Sequence, residues 1–146
     1  MKKLVLWLLT ILQIVVIFYF SSQDAVDSAE LSKNLSDNII RSAVEIITDN
    51  EVQQNTILAN VHTFIRELAH IFIYFVLGIC LTALVKEYPL ARPYLFAIIA
   101  CIICSVLDEI NQAFFTVGRS FQIIDLLKDW FGAICATWIV KKVSKC

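Results

Sequence analysis

The stretch from Ser105 to Asp129 combines apolar residues with side chains that could bind a ligand or transfer a proton. Its ionisable and amide residues include Asp108, Glu109, Gln112, Arg119, Asp125, Lys128 and Asp129. Strongly apolar segments lie on both sides of this stretch. A polar group inside a bilayer is costly unless it is paired or hydrated, and ionisable residues there are functional candidates by default. We therefore predict a functional site here.

The composition indicates a membrane protein. Of the 146 residues, 59% are hydrophobic and 17% charged, and the mean hydropathy is +0.75. A soluble domain is typically about 45–50% apolar and about 25% charged. We predict an all-α polytopic membrane protein whose residues 1–146 form a single domain. The net charge of −1 and the absence of a basic patch give no sign of a nucleic-acid partner.

Four apolar segments predict a four-transmembrane-helix bundle, with spans at about 4–20, 68–85, 94–115 and 121–140. The first is just long enough to cross, at about 25 Å for a helix. Bulky Phe18, Tyr19 and Phe20 stand where signal cleavage needs small residues, so we expect an uncleaved helix. Gln13 should face other helices, because lipid cannot satisfy its amide.

The hydrophilic stretch 24–66 separates the first two spans and predicts an extracytoplasmic amphipathic helical segment. Its apolar residues recur at helical spacing: Leu31, Leu35, Ile39, Ala43, Ile46 and Ile47. We favour a helix that covers the outer face of the bundle over one that binds a partner. A second helix should begin at about Glu51 and lead into the second span.

The distribution of basic residues predicts the topology. Seven of the twelve Lys and Arg residues fall on one side of the predicted bundle: Lys2, Lys3, Lys86, Arg92, Lys141, Lys142 and Lys145. Glu87 is the acidic residue among them. Basic residues favour the cytoplasmic side, so both termini should be cytoplasmic and the acidic loop 24–66 outside.

This topology brings polar residues of three spans to the same outer third of the membrane. The predicted binding residues are Arg66, His70, Tyr74, Asp108, Glu109, Gln112, Arg119, Asp125 and Asp129. Within each helix they recur at i+3 or i+4, which places them on one face, as it does Ser105 with Asp108. Asp125 and Asp129 continue into Gly132 and Ala136, a pattern suited to close helix contact.

Two interpretations of these polar residues remain open. They could be an ion-pair network that holds the bundle together, with Arg66, Arg119 and Lys128 neutralising acids. Alternatively they line a hydrated cavity that opens outward. Each polar contact between membrane helices contributes only about 0.6–2 kcal/mol. That gain is small for burying four carboxylates, so we favour the cavity.

His70, Asp108 and Glu109 are the candidates for acid/base catalysis, His70 because it titrates near neutral pH. His70 could equally be a hydrogen-bond partner of Asp108. Mixed His and carboxylate ligation suits zinc or manganese, but no HExxH or paired-His motif is present, and we predict neither a metal nor a cofactor. Cys101-x-x-Cys104 lies inside a span, where packing is the simpler role.

The ordered motifs resemble those of the VanZ-like family of bacterial membrane proteins, named for a teicoplanin-resistance protein. They are Phe20-Ser21-Ser22-Gln23, Arg66-x-x-x-His70-x-x-x-Tyr74-x-x-Leu77-Gly78, Asp108-Glu109-x-x-Gln112, Phe115-x-x-Gly118-Arg119, Asp125 and Gly132. The chain departs from the family pattern at Glu67, where a basic residue is common, and at Asp129, where Asn is common. The resemblance implies a multi-pass protein of the bacterial cytoplasmic membrane, connected to the cell envelope and in some members to glycopeptide susceptibility.

Two functions follow as hypotheses. The polar site could bind membrane lipids, a lipid-linked cell-wall precursor or a glycopeptide-type drug. Alternatively the chain is an intramembrane enzyme that uses acid/base or metal-assisted chemistry on a lipid-linked envelope substrate. A proton-coupled transporter ranks last, since the inner halves of the helices carry almost no polar residues.

Overall fold

The computed structural model describes residues 1–22, 51–117 and 120–144. These residues form four α-helices: α1 (Lys2–Ser21), α2 (Glu51–Val85), α3 (Pro93–Phe115) and α4 (Ile123–Val143). No strand occurs in these ranges. The fold is therefore all-helical, as predicted.

Local sequence explains where several helices begin and end. Pro93 opens α3, where its fixed φ suits a first turn and its missing N–H is not needed. Helix α4 has Asp125 in its first turn and Lys141 and Lys142 in its last turn, so its charges complement the helix dipole. Ser22 closes α1 and donates a hydrogen bond to the Phe18 carbonyl at 2.8 Å.

The ends of the described helices lie within three residues of the limits of the predicted segments, except at the start of α2. Within the described residues, α2 runs from Glu51 without a break through the second predicted span, as a helix of 35 residues. The amphipathic segment predicted for 24–66 falls mostly outside the described residues, and its part from Glu51 onward belongs to α2.

Consecutive helices run antiparallel. The start of α1 lies beside the loop between α2 and α3, where Lys2 pairs with Glu87 and the Trp7 indole donates to the Tyr88 hydroxyl at 2.8 Å. The end of α4 lies there too, because Lys86 contacts Ser144. We call this the basic end of the bundle, after Lys2, Lys3, Lys86, Arg92, Lys141 and Lys142. The opposite end is the polar end.

Helices α2 and α4 pack closely along a small-residue seam, formed by Gly78, Thr82, Gly132, Ala133, Ala136 and Thr137. A Cβ added to Gly132 would lie 2.2 Å from the Ile71 carbonyl oxygen, so the two backbones nearly touch. At Gly78 an added Cβ would lie 2.9 Å from the Cβ of Ala136. The predicted contact of Gly132 and Ala136 is confirmed.

Polar side chains inside the bundle are satisfied at several points between the helices. The hydroxyls of Thr82 and Thr137 are 3.1 Å apart and buried. Gln13 donates to the Ile73 carbonyl at 2.9 Å, which confirms that it faces another helix. Neither group is left to lipid.

The outer surface of the helices is apolar. Exposed residues include Leu8, Ile11, Leu12 and Val15 on α1, Phe72 and Ile79 on α2, Ile99 and Ile103 on α3, and Phe131 and Ile134 on α4. Such continuous apolar exposure is typical of a surface that contacts membrane. Three described segments are long and apolar enough to cross a membrane: Lys2–Ser21, Gln53–Val85 and Pro93–Phe115. Helix α4 has comparable length but carries Asp125, Lys128 and Asp129 near its start.

Candidate functional site

The predicted site residues of three helices lie at one level of the bundle. His70, Asp108 and Asp129 are 14 or 15 residues from the ends of α2, α3 and α4 that lie at the basic end. At about 1.5 Å per residue, each is about 21–23 Å from that end. The antiparallel packing therefore brings together residues that are far apart in sequence.

One group of side chains centres on the Asp129 carboxylate, which is fully buried. The Ser105 hydroxyl donates to Asp129 Oδ2 at 2.9 Å. On the other side, His70 Nδ1 lies 3.4 Å from Asp129 Oδ1. Asp129 thus connects α3 to α2, and its carboxylate faces one nitrogen of the His70 ring.

Tyr74 and Asp108 complete this group, although neither is fully paired. Tyr74 is 0% exposed and Asp108 2%. Gln112 donates to Asp108 Oδ2 at 3.2 Å. The Tyr74 hydroxyl is near enough to Asp108 and Asp129 to interact with them electrostatically. Even so, it and Asp108 Oδ1 have no hydrogen-bond partner within the part of the chain that the structure describes. We call His70, Tyr74, Ser105, Asp108 and Asp129 the inner polar cluster.

Two other predicted acids are engaged separately, closer to the polar end. Glu109 accepts a hydrogen bond from the Gln122 backbone N–H at 2.8 Å, just before α4 begins. A carboxylate at a helix N-terminus satisfies a free N–H and the helix dipole, so Glu109 has a structural role at the start of α4.

Asp125 pairs with Lys128 on the same helix. Lys128 Nζ lies 2.9 Å from Asp125 Oδ1 and 3.3 Å from Glu67 Oε1 on α2. Lys128 thus pairs with one of the acids, as the ion-pair interpretation of these residues allows. Sequence analysis named Glu67 as a departure from the family pattern but not as a site residue, although its i+3 spacing to His70 places it on the same face.

Helix α1 also reaches the site, through serines that the sequence analysis did not place in it. The Ser21 hydroxyl donates to the Asp108 backbone carbonyl at 3.4 Å. Asn111 donates to the hydroxyls of Ser21 and Ser22 at 3.1 and 3.2 Å. The sequence feature that could have indicated this role is the motif Phe20-Ser21-Ser22, because it ends α1 at the level of the acidic residues.

The remaining predicted residues differ in position. Arg66 is exposed. Arg119 lies outside the described residues. The buried members of the predicted site are Tyr74, Asp108, Glu109, Gln112, Asp125 and Asp129, each 5% exposed or less. Among the described side chains, no three His, Cys, Asp or Glu residues are grouped as a metal ion requires.

The inner polar cluster can supply hydrogen-bond acceptors and one imidazole to a small polar group. His70 is its accessible member, with 16% of the side chain exposed. The burial of the cluster without full pairing is the feature that requires explanation.

An all-helical bundle with an apolar outside and ionisable groups inside defines a polytopic membrane protein. Its family follows from comparison with protein-family models. The model of the VanZ/LLP1 family matches residues 6–144, and the chain belongs to that family. It is thus a VanZ-like membrane protein of the cell envelope. No curated protein and no solved structure gives a match to the chain.

Proposed function

We propose that the chain is a four-span protein of the bacterial cytoplasmic membrane that binds an envelope component at its polar end. Both termini and the basic end face the cytoplasm, so the polar end faces outward. The ligand is an envelope lipid, a lipid-linked cell-wall precursor or a glycopeptide-type drug. The observation that supports this function is the inner polar cluster, whose ionisable groups are gathered from α2, α3 and α4 at one level.

The cost of these groups supports binding over a purely structural role. Ionised carboxylates inside a low-dielectric region need pairing and full hydrogen bonding to be stable there. The Gln112 amide donates to Asp108 Oδ2, and the hydroxyls of Ser21 and Tyr74 lie near the carboxylate, but Oδ1 has no hydrogen bond of good geometry from any described residue. A group retained only for structure would be better replaced by an apolar or fully paired residue. A ligand that supplies the missing partner explains why it is kept.

Binding can be tested with the purified protein reconstituted in lipid nanodiscs. We would measure the binding of lipid-linked cell-wall precursor and of teicoplanin to wild type, His70→Ala, Asp108→Asn and Arg119→Ala. Thr82→Val is the matched control, since it changes a buried polar residue of α2 outside the cluster. Saturable binding that weakens in the first three variants supports the proposal. Equal binding in all variants would contradict it.

The orientation has its own test. Reporter fusions at the C-terminus and within the loop 24–50 give opposite signals if both termini are cytoplasmic and that loop is outside. The same fusions would distinguish four spans from three, since without the fourth span residues 24–50 and the C-terminus would lie on the same side and give the same signal.

A second candidate is an intramembrane acid/base enzyme, favoured by the contact between His70 and Asp129. A carboxylate beside one imidazole nitrogen orients the ring and stabilises its charged form, which leaves the other nitrogen for a substrate proton. Glu109 is a weaker candidate for the base, because the start of α4 engages it. Turnover of a lipid-linked substrate that persists in a protein carrying both Asp108→Asn and His70→Gln would rule this activity out.

A further inference from the structure

Three buried oxygen atoms of the inner polar cluster determine what can fill it. Tyr74 Oη and Asp108 Oδ1 lack a partner among the described residues, and Asp129 Oδ1 has only the 3.4 Å contact with His70. The three residues are 0%, 2% and 0% exposed. Two of these atoms are carboxylate oxygens, which accept hydrogen bonds and donate none when ionised. The Tyr74 hydroxyl, which lies near Asp108, can donate to only one of the two carboxylates, so the group that completes the cluster must be mainly a donor.

We propose that Tyr74, Asp108 and Asp129 form a binding site for a primary ammonium group. Such a group has three N–H donors, enough for the Tyr74 oxygen and for one oxygen of each carboxylate. It also carries the positive charge that two neighbouring carboxylates require. This inference rests on the proposed function, because it names the ligand class of the same site.

The charges around the cluster favour a cation over an anion. The ionisable groups facing it are Glu67 and His70 on α2, Cys104, Asp108 and Glu109 on α3, and Asp125, Lys128 and Asp129 on α4. Lys128 is occupied by Asp125 and Glu67. Negative groups thus outnumber positive ones, and a phosphate placed here would be repelled by both aspartates.

Position and access agree with an ammonium group on a short arm. Asp108 is seven residues from the end of α3 at Phe115, and Asp129 six from the start of α4 at Ile123. The site therefore lies about 9–11 Å from the polar end. His70 is the accessible side chain, and turning its ring away from Asp129 Oδ1 frees that oxygen for the ligand. An aminophospholipid headgroup and an amino group on a cell-wall precursor share this chemistry.

The test compares ligands that differ in N–H donors. Full-length protein in nanodiscs is equilibrated with phosphatidylethanolamine or phosphatidylcholine of identical acyl chains, and the retained lipid is measured by native mass spectrometry. A second arm measures the thermal stabilisation of the protein by a soluble lysine-containing peptide and by its trimethyl-lysine form. We expect at least about a tenfold preference for the primary amine in one arm, since hydrogen bonds to charged groups are the strong ones. Preference in the first arm identifies a lipid source, and preference in the second a peptide amine.

Variants assign the preference to this site. Asp108→Asn and Tyr74→Phe should each reduce it towards unity, whereas Thr82→Val should keep it. Tyr74→Phe removes a single oxygen, so it serves even if Asp108→Asn yields little protein. No preference in either arm overturns the inference, and so does a preference that both cluster variants retain.

The outcome is separable from that of the proposed function. If precursor or teicoplanin binds in a His70-dependent way but amines and trimethylamines bind equally, the ligand class alone is wrong. If amines are preferred but neither envelope ligand binds, the ammonium site stands and the choice of envelope ligand is wrong.

Discussion

The small-residue seam lies on α2 and α4, whereas the inner polar cluster lies on these two helices and on α3, and the two regions differ in how their polar atoms are paired. In the seam, the buried hydroxyls of Thr82 and Thr137 pair with each other at 3.1 Å. One turn further along α2 from Gly78, the Tyr74 hydroxyl has no partner among the described residues. The buried hydroxyls of the seam have hydrogen-bond partners within the protein, whereas the buried Tyr74 hydroxyl of the cluster has none among the described residues.

This difference separates stability from binding. Close contact of small residues allows dense packing between membrane helices, and such packing drives their association. Unpaired buried polar groups cost stability and persist mainly at functional sites. We infer that the seam holds α2 and α4 in register, and that the cluster uses this rigid frame to keep its acceptors in place for a ligand.

The largest expected effect comes from breaking the seam. Gly132→Leu places a side chain where even a Cβ would lie 2.2 Å from the Ile71 carbonyl oxygen, a backbone atom that cannot move aside. We expect a loss of more than about 3 kcal/mol in the free energy of unfolding, above the usual range for overpacking. The measurement is unfolding in detergent monitored by circular dichroism.

Phe131→Leu is the matched control for this substitution. Phe131 is the neighbour of Gly132 and is 60% exposed on the outer surface. It should unfold like wild type. Equal stability of Gly132→Leu and Phe131→Leu would show that α2 and α4 do not touch at this point.

A substitution in the cluster should change stability in the opposite direction. Asp108→Asn removes a buried charge with an unpartnered oxygen and keeps a side chain of nearly the same shape. Replacing poorly paired buried charge is often neutral or stabilising, so we expect a gain of about 0–2 kcal/mol in the free energy of unfolding together with a loss of ligand binding. Thermal unfolding and the nanodisc binding measurement are made on the same preparation.

A large loss of stability in Asp108→Asn would make the cluster structural. The comparison with the seam would then fail, because both regions would hold the helices together. Asp125→Asn is the reference, since its carboxylate is already paired with Lys128 at 2.9 Å and its loss should not stabilise the protein.

Sequence analysis predicted which faces meet but not which atoms pair. Helical spacing placed Asp108, Glu109 and Gln112 on one face, and all three are buried. Which atoms pair depends on how far each helix is rotated about its axis and shifted along it. The spacing of residues in the sequence does not determine that rotation or shift. Glu109 thus accepts a hydrogen bond from a backbone N–H at the start of α4, whereas Asp129 accepts one from the Ser105 hydroxyl.

The boundaries were predictable for a simpler reason. Apolar runs of membrane-spanning length leave few alternatives for a helix, and the ends at Val85 and Phe115 agree with the prediction. The role of Ser21 was not predictable from α1 alone. It depends on α1 ending beside Asn111, a residue 90 positions away in the sequence.

A smaller effect tests the pairing within the seam. Thr82→Val and Thr137→Val each leave the opposite hydroxyl without its partner, and the double variant removes both. Polar contacts between membrane helices are coupled by about 0.6 kcal/mol on average, so a double-mutant cycle should give a value of that size. A coupling energy of zero would show that the hydroxyls find other acceptors, such as carbonyls of their own helices.

The smallest effect is expected at the basic end, where an ion pair lies at the surface rather than between helices. The hydrogen bond from Lys2 lowers the pKa of Glu87. A carboxyl group whose pKa is lower in the folded protein than in the unfolded one stabilises the fold above its unfolded pKa, and this stabilisation is lost as the pH falls through the lowered value.

Glu87→Gln should therefore melt slightly below wild type at neutral pH, and the two melting curves should converge in acid. Since the Lys2 side chain is 76% exposed, salt screens the pair, and high ionic strength should remove most of the difference. A difference that is unchanged by acid and salt would mean that Glu87 acts through packing rather than charge, and the basic end would then resemble the seam.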